Sequence, residues 1–266
     1  MRLGYAASTA LVLDLDDAFR LAAELELDFV ELAWDLQELD PGLQPVERVR
    51  ELCRATGVGT TVHLPFVDLN LASLMPGVRE NSVARVQRGI DYAAEVGASC
   101  GVLHTGTVPA RHPRVLGGAS QALTASLRTL TPHVPVALEN TALDYYDLLR
   151  GPEELETVTA AAGEGFANTL DLGHAVVEGA STERRGLEGG LARLDSYLSG
   201  LTRVVHLHLH DNDGTADQHR PAGSGSLPWE AKREYLRSFP GTACLEIAGG
   251  PEGVRRSVSF LRELLG

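Results

Sequence analysis

The sequence lacks any apolar run near the roughly 20 residues that a membrane-spanning helix needs. The N-terminal segment MRLGYAAST leads directly into an acidic stretch, without the charged region, long apolar region and cleavage site of a secretory leader. The three cysteines, Cys53, Cys100 and Cys244, form no pair-spaced pattern, so we interpret them as core residues of a protein in a reducing compartment. These absences predict a cytoplasmic protein without membrane contact.

Basic residues are also few, since 23 Lys and Arg stand against 36 Asp and Glu, for a formal net charge of −13. Phosphate binding relies on Lys and Arg, so this balance argues against a dedicated nucleic-acid coat protein but permits a local basic rim. Linkers, low-complexity tracts and a second hydrophobic block are absent as well. With 44% apolar and 22% charged residues, the composition is globular, and we expect one domain over residues 1–266.

Eight short apolar runs predict β-strands, and segments with helical periodicity, such as residues 18–25, lie between them. This alternation predicts an α/β protein, a single (β/α)₈ TIM barrel. The first strand is followed by Ala6-Ala7-Ser8-Thr9 rather than by the glycine fingerprint of dinucleotide-binding folds. The predicted strands are Arg2–Ala6, Asp28–Ala33, Gly59–His63, Cys100–His104, Val134–Glu139, Phe166–Asp171, Val204–His208 and Thr242–Glu246.

Six consecutive predicted strands end in a histidine or an acidic residue, although barrel strands usually carry apolar side chains. The carboxyl ends of the strands form the face where active sites of such barrels lie. Burying several carboxylates and imidazoles together is very costly, and a divalent cation removes this cost. Mixed imidazole and carboxylate ligands suit zinc, manganese or iron better than calcium. The six residues are His63, His104, Glu139, Asp171, His208 and Glu246.

Two loop segments extend this set of residues. His174 lies three residues after Asp171, and Asp217 and His219 lie two residues apart in the loop after the seventh strand. Each pair alone is equally consistent with a turn-forming Asp beside a solvated His. Next to the six strand-end residues, we interpret His174, Asp217 and His219 as further metal ligands.

The remaining histidines are interpreted from their place along the chain. His206, His208 and His210 share one strand face because side chains alternate with a period of two. We expect His206 to lie deeper, with hydrogen bonds inside the barrel, and His210 to begin the loop. His112 and His133 fit no cluster and are predicted to be surface residues.

Six segments carry the polar residues and their neighbours: His63–Ser73, Leu103–Gly106, Leu138–Ala142, Leu170–Ala175, His208–Gly225 and Leu245-Glu246. Taken in order, these segments resemble the xylose isomerase-like barrel superfamily and, within it, the endonuclease IV branch. Each short segment is weak alone, but their shared order and strand placement over nearly the whole chain are specific.

The resemblance to endonuclease IV implies up to three metal ions per chain, usually zinc. The ligand types themselves also accept manganese or iron. It implies one metal on His63, His104 and Glu139. It implies a second on Glu139, Asp171, His208 and Glu246, so that Glu139 bridges two metals. The third metal would be held by His174, Asp217 and His219.

The sequence also departs from the endonuclease IV branch. The DNA-gripping loops of that branch have no counterpart in Ala6–Thr9 or Trp34–Gly42, and Gln218 stands where the branch usually has Arg. The segments Phe29–Leu32 and His210–Asn212 look instead like the sugar phosphate isomerase/epimerase group of the same superfamily.

Two activities therefore remain open. The first is metal-dependent phosphoester hydrolysis with abasic-site DNA as the model substrate, with Glu139 and Glu246 as catalytic residues. The second is isomerisation or epimerisation of a small sugar or sugar phosphate on one metal, with Glu139 and Glu246 as the acid–base pair. A binding protein without catalysis is a third possibility, which a complete ligand set disfavours. No obligate protein partner is indicated.

Substrate contacts are expected from the barrel and from its upper loops. We assign Glu31, Arg111, Arg114 and Arg220 to substrate binding, and His112, Arg184 and Arg185 add positive charge to the same loops. Simple solubilising charge explains these arginines equally well.

Overall fold

The computed structural model describes residues 1–141, 146–182 and 185–266 of the chain. Eight parallel strands follow one another in sequence order around a closed barrel, and β8 pairs with β1. The predicted (β/α)₈ barrel is therefore confirmed. The strands are β1 Arg2–Ala6, β2 Phe29–Ala33, β3 Gly59–His63, β4 Gly101–His104, β5 Val136–Glu139, β6 Phe166–Asp171, β7 Val204–Leu209 and β8 Thr242–Leu245.

Helices connect the strands and surround the barrel. In the described part of the chain they are α1 Leu15–Glu24, α2 Trp34–Leu39, α3 Val46–Thr56, α4 Pro76–Val96, α5 Pro113–Thr129, α6 Pro152–Ala162, α7 Leu172–Thr182, α8 Gly186–Gly200, α9 Trp229–Ser238 and α10 Gly250–Leu265. Within the described ranges, we find no helix with the length and apolar character needed to cross a membrane. Ala142, at the end of one resembling segment, and Arg184, in an upper loop, lie outside the described residues.

Three predicted strands have the observed bounds, and the other five differ by one or two residues. The largest difference is in β5, which begins at Val136 because Pro135 has no N–H to donate to the sheet. Strand β8 ends at Leu245, one residue earlier than predicted. Glu246 still follows the direction of the strand, since its backbone N–H donates to the Leu209 carbonyl over 3.2 Å.

Local sequence signals set the helix ends. Asp14 caps α1 by accepting the Asp17 backbone N–H over 3.0 Å. Gly57 and Gly97 end α3 and α4 in the left-handed conformation, each with a φ of 75°, which glycine adopts without steric cost. Prolines in the first turn of α4, α5, α6 and α10 supply a fixed φ suited to a helix start.

The main hydrophobic core lies between the barrel and the helices, where residues such as Phe19, Ile90 and Leu123 are fully buried. The interior of the barrel is different, because a small apolar group of Ala6, Phe29 and Cys244 fills only part of it. Above this floor the interior-facing side chains are largely polar. Ionisable side chains therefore occupy the barrel interior toward the carboxyl ends of the strands.

Candidate metal centre

A buried hydrogen-bond network lies beneath the carboxyl face of the barrel. Glu31 on β2 is 1% exposed and accepts a hydrogen bond from the Thr61 hydroxyl over 2.8 Å. The other oxygen of Glu31 lies 3.1 Å from Nε2 of His208. His206 is fully buried, with Nε2 3.3 Å from Glu31 and Nδ1 2.6 Å from the Thr242 hydroxyl. His206 is therefore hydrogen-bonded within the barrel, as the strand period predicted.

Glu139, at the end of β5, is the hub of the centre. One carboxylate oxygen, Oε2, lies 3.1 Å from Nε2 of His104 and 3.7 Å from Nε2 of His63. The other oxygen, Oε1, lies 3.0 Å from Nδ1 of His208. The two oxygens of one buried carboxylate thus face two different groups of ligand atoms, which we call the β3–β4 group (His63, His104, Glu139) and the β6–β8 group (Glu139, Asp171, His208, Glu246).

The β6–β8 group surrounds Nδ1 of His208. In addition to Glu139, this nitrogen lies 3.2 Å from Oε2 of Glu246 and 3.8 Å from Oδ2 of Asp171. The other oxygen of Glu246 accepts a hydrogen bond from the Thr9 hydroxyl over 3.2 Å. One ligand atom from each of the four residues lies within 4.8 Å of the others, as a shared cation requires.

A third cluster, which we call the loop group, contains His174, His210, Asp217 and His219. Oδ2 of Asp217 lies 3.2 Å from Nε2 of His174 and 3.0 Å from Nε2 of His219. Oδ1 of Asp217 lies 3.5 Å from Nε2 of His210. Three of these residues were predicted from the sequence to lie together, and the structure adds His210.

Hydrogen bonds hold the rings of these histidines so that one nitrogen faces each cluster. Nδ1 of His63 is 3.0 Å from the Leu64 carbonyl, and Nδ1 of His174 is 3.0 Å from the Asn140 carbonyl. Nδ1 of His219 is 2.7 Å from the Glu246 carbonyl. Because a carbonyl can only accept, each Nδ1 is the donor, and each Nε2 offers its lone pair to a metal once it has lost its proton. This arrangement is typical of metal-binding histidines.

The charges in the centre are strongly coupled. Burial raises the pKa of Glu139, but the positive charge of His208 and the hydrogen bonds from His104, His174 and His208 together hold that pKa well below its usual range. Burial lowers the pKa of His208, but the charges of Glu139, Glu246 and Glu31 raise it well above its usual range. Burial likewise raises the pKa of Glu246, and His208 then lowers it to about 2. The carboxylates therefore form ion pairs with protonated histidines. A metal cation that binds these residues would replace the protons on the histidine nitrogens.

Several atoms that face the clusters are buried without a hydrogen-bond partner among the described residues. They are Glu139 Oε2, Asp171 Oδ2, Asp217 Oδ1 and both ring nitrogens of His210. Unpaired buried polar atoms cost about 1–3 kcal/mol each, and a divalent cation in contact with them would remove that cost. The donor atoms, all imidazole nitrogen or carboxylate oxygen, fit zinc, manganese or iron.

The loop after β7 is folded around Asp211, which is fully buried. The carboxylate of Asp211 accepts hydrogen bonds from Trp229 Nε1 over 2.8 Å and from the Gly223 N–H over 3.0 Å. A Cβ at Gly225 would overlap this carboxylate, so glycine permits the close approach. The fold of this loop brings His219 back over the barrel with a φ of 46°, an uncommon conformation for a residue other than glycine.

A cavity of about 150 Å³ opens above the clusters. Phe66 lies at its edge, 40% exposed, with its ring 4.9 Å from the His63 ring and 4.6 Å from the His104 ring. A larger cavity of about 360 Å³ lies between α5 and α6, but none of the clusters lines it. The chemistry of the chain is therefore concentrated at the smaller cavity, which is lined by Ser8, Thr9, Glu31, Ala33, His63, Phe66, His104, Glu139, His174, Asp217, His219 and Glu246.

The residues assigned to substrate binding have different positions. Glu31 lines the bottom of the cavity, whereas Arg111, Arg114 and Arg220 are not among the described residues that line it. Arg111 donates to the Asp147 carbonyl over 2.6 Å, and Arg220 pairs with Asp213 over 2.9 Å. Arg114 is exposed at the start of α5. His112 and His133 are exposed, as predicted.

Two residues of the site did not emerge from the sequence. Thr9 was noted only as part of a segment without a glycine fingerprint, and nothing in that segment signals its contact with Glu246. His210 was expected only to begin the loop. Its two-residue spacing from His208 was the available signal, because the strand period places both side chains on the same side of the chain as it leaves β7.

Comparisons with known proteins agree with this architecture. The sequence profile of the family described as "Xylose isomerase-like TIM barrel" matches residues 19–264. A protein of Mycobacterium leprae named probable endonuclease 4 is 29% identical over 225 residues, which cover 80% of this chain and 81% of that protein.

Two solved structures extend the comparison. A Thermus thermophilus protein, described as soaked with ZnCl₂, is 29% identical, with a TM-score of 0.69 and coverage of 99% of this chain and 98% of that one. A D-tagatose 3-epimerase-like protein has a TM-score of 0.82 at 22% identity, with coverage of 100% and 97%. At that identity, the second likeness concerns the fold alone.

Proposed function

Because this chain belongs to the xylose isomerase-like TIM barrel family, we propose that it is a metal-dependent phosphoester hydrolase that cleaves the DNA backbone at abasic sites. The observation that carries the proposal is the position of Glu139, whose two oxygens face two separate ligand groups. The loop group adds a third potential site close to the other two. A hydrolytic centre with several metals uses every one of these residues.

Bound divalent cations would supply Lewis acidity toward phosphate oxygens, an acidified water and charge neutralisation for the leaving oxygen. The side chains supply the remaining functions. Glu139 and Glu246 both line the cavity, and each has a carboxylate oxygen within 3.2 Å of Nδ1 of His208. We assign them to holding the attacking water and accepting its proton. Glu31 fixes His208 from below through its other ring nitrogen.

The size of the cavity supports a substrate that reacts at its edge. Its volume of about 150 Å³ is below the roughly 300–1,000 Å³ of pockets that enclose a drug-sized ligand. A phosphoester group can enter such a cavity while the rest of the substrate lies outside. The exposed Phe66 ring offers an apolar face beside the β3–β4 group, on which a sugar or base can pack. The M. leprae relative named probable endonuclease 4 supports the same substrate class.

The first experiment measures metal content per chain by elemental mass spectrometry on protein purified without chelator. We expect three metals per chain and cleavage of a DNA duplex that carries a single abasic site. Stripped protein should lose this cleavage and regain it with Zn²⁺ or Mn²⁺. Three metals without cleavage of abasic DNA or of simpler phosphodiesters would refute the hydrolytic proposal.

A second experiment tests the upper loops. Replacing Arg111, Arg114 and Arg220 with Ala together should weaken DNA binding and reduce the slope of log K against log salt by about 0.9 per lost phosphate contact. The matched control is Arg255→Ala, since Arg255 pairs with Glu24 on the outer helices. Equal affinity in the triple variant and the control would remove these arginines from the substrate site.

Isomerisation or epimerisation of a small sugar or sugar phosphate is the second candidate. The observation that favours it is that the β6–β8 group is complete by itself and brings the carboxylates of Glu139 and Glu246 to the same nitrogen. In that reaction the two carboxylates would move a proton between them and the sugar. A single metal that survives dialysis, together with sugar turnover and no DNA cleavage, would favour this candidate over hydrolysis.

A further inference from the structure

We propose that His210 is a fourth protein ligand of the loop group, so that this metal site is closed to substrate. The inference rests on the proposed multi-metal function. Three ligands from the protein leave a position open for water or substrate, whereas four complete a tetrahedral site. The presence of His210 therefore decides whether a metal in the loop group takes part in the reaction or stabilises the protein.

The ligand atoms of the loop group are close enough together to share one metal. With bonds of about 2.0–2.1 Å, neighbouring ligand atoms around zinc lie about 3.3–3.4 Å apart. The Nε2 atoms of His174 and His219 lie 3.2 and 3.0 Å from Oδ2 of Asp217, and Nε2 of His210 lies 3.5 Å from its Oδ1. All four ligand atoms lie within 4.8 Å of one another. Nε2 of His210 is thus placed like the other two nitrogens.

His210 also has no other described role. Its side chain is fully buried, and neither ring nitrogen has a hydrogen-bond partner among the described residues. Nε2 does lie 3.1 Å from Oδ1 of Asp171, but without the alignment of a hydrogen bond. A buried imidazole with unsatisfied nitrogens is costly, at about 1–3 kcal/mol per group. A metal bond to Nε2 would offset that cost for the nitrogen that faces the cluster.

The surroundings of His210 are built to hold its ring. A Cβ at Gly173, the residue before His174, would collide with the imidazole of His210, so only glycine leaves room for it. The other face of the ring stacks on His219, with ring centroids 4.2 Å apart and planes 26° from parallel. Asn212 donates to the Gly173 carbonyl over 3.0 Å and fixes the close approach of the two segments. The ring is therefore confined beside Asp217.

If the metal site of the loop group is closed to substrate, the three clusters have different functions. Members of all three groups line the cavity, including His174, Asp217 and His219 of the loop group. A metal in the β3–β4 group, which has only three protein ligands, would keep a position open for substrate. The loop group would instead hold its metal tightly and keep the loop after β7 in place over the barrel.

The direct experiment is anomalous diffraction at the zinc edge on crystals of the wild-type chain with Zn²⁺. We expect a zinc ion in the loop group with Nε2 of His210 at about 2.0–2.1 Å, together with His174, Asp217 and His219. A zinc ion held by those three residues and water, with Nε2 of His210 outside bonding distance, would overturn the inference. This measurement does not depend on whether any variant folds.

Chelator competition tests the same point in solution, with Zn²⁺ counted by elemental analysis at each chelator concentration. In His210→Asn we expect the zinc affinity of the tightest site to fall by at least about 10–100-fold. A loss of that size is typical when a residue that only supports a metal ligand is replaced, so the loss of a ligand itself should be no smaller. His219→Asn is the positive control, and His133→Asn, at an exposed histidine, is the negative control. Circular dichroism confirms that each variant is folded.

The outcomes separate this inference from the proposed function. Three metals per chain with unchanged affinity in His210→Asn would overturn the role of His210 and leave the hydrolytic proposal standing. Two or fewer metals in the wild-type chain would refute the three-metal centre, and the fourth ligand would be refuted with it only if the diffraction experiment finds no metal in the loop group. A selective loss of one tight metal in His210→Asn supports the inference whatever substrate the other two groups act on.

Discussion

The position of Glu139 predicts that one substitution removes two metals. In Glu139→Gln the side chain keeps its size but loses its charge, and one oxygen becomes an NH₂ group that cannot bind a cation. Because Oε1 and Oε2 face different ligand groups, one group loses its ligand atom, and the other keeps only an uncharged amide oxygen that binds a cation more weakly than a carboxylate. The loop group contains no atom of Glu139 and should keep its metal.

The size of the effect on stability follows from the number of sites lost. At a free metal concentration of about 100 Kd, each occupied site stabilises the folded state by about 2.7 kcal/mol. Loss of two sites removes about 5.4 kcal/mol of this stabilisation. For chains of roughly this size, 1 kcal/mol shifts Tm by about 2–4 °C. The rise in Tm on adding metal should therefore be about 11–22 °C smaller in Glu139→Gln than in the wild type.

The assay combines differential scanning calorimetry, with and without Zn²⁺, and metal counting on the same samples. Comparing the metal-induced shift within each variant separates metal binding from the intrinsic effect of the substitution. Glu156→Gln is a matched control, since Glu156 is a partly buried carboxylate that hydrogen-bonds Asn168 and Thr202 away from the centre. Loss of a single metal in Glu139→Gln, with the others retained, would refute the bridging role.

Two further predictions concern the supporting groups. Glu31→Gln should weaken metal binding at His208 by about 10–100-fold, because Glu31 holds Nε2 of His208. Chelator competition measures the metal affinity. A change in KM with unaltered metal affinity would assign Glu31 to substrate binding instead. Burial lowers the pKa of His219, but the hydrogen bond with Asp217 and the charge of Glu246 raise it to about 9. The stability that this proton gives to the metal-free fold is therefore complete below about pH 6.5 and lost as pH rises through about 9. Zinc must displace the same proton at pH 7, so zinc affinity should rise with pH up to about 9. Titration calorimetry in buffers of different ionisation enthalpy measures the protons released on zinc binding. Absence of proton release at pH 7 would contradict this prediction.

Much of the centre was predictable because the barrel turns sequence order into spatial order. Parallel strands bring their carboxyl ends to one face, so the polar residues that end β3 to β7 had to converge. His174 was predictable from its distance to Asp171, since α7 begins immediately after β6. Such inferences need only the strand period and the closure of the barrel.

The remaining features depend on how the loops fold, which strand patterns do not describe. His210 belongs to the loop group because the loop after β7 folds around Asp211 and carries Asp217 and His219 back to the barrel. The side chains of Arg111 and Arg220 extend to local partners, a carbonyl and Asp213, that are set by loop conformation. The height and direction of a long charged side chain therefore could not be read from its position in the sequence.

The polar interior also bears on how the barrel is stabilised before it binds metal. A barrel interior is normally packed with branched apolar residues, and isolated buried carboxylates would be prohibitive. In this chain the carboxylates are outnumbered by imidazoles that can carry protons, and the pKa values of His174 and His208 are raised well above the usual range, although burial alone would lower them. Protonated imidazoles thus provide counter-charges to the carboxylates in the metal-free barrel, and metal binding becomes an exchange of cations for protons. The five carboxylates are Glu31, Glu139, Asp171, Asp217 and Glu246, and the seven imidazoles are His63, His104, His174, His206, His208, His210 and His219.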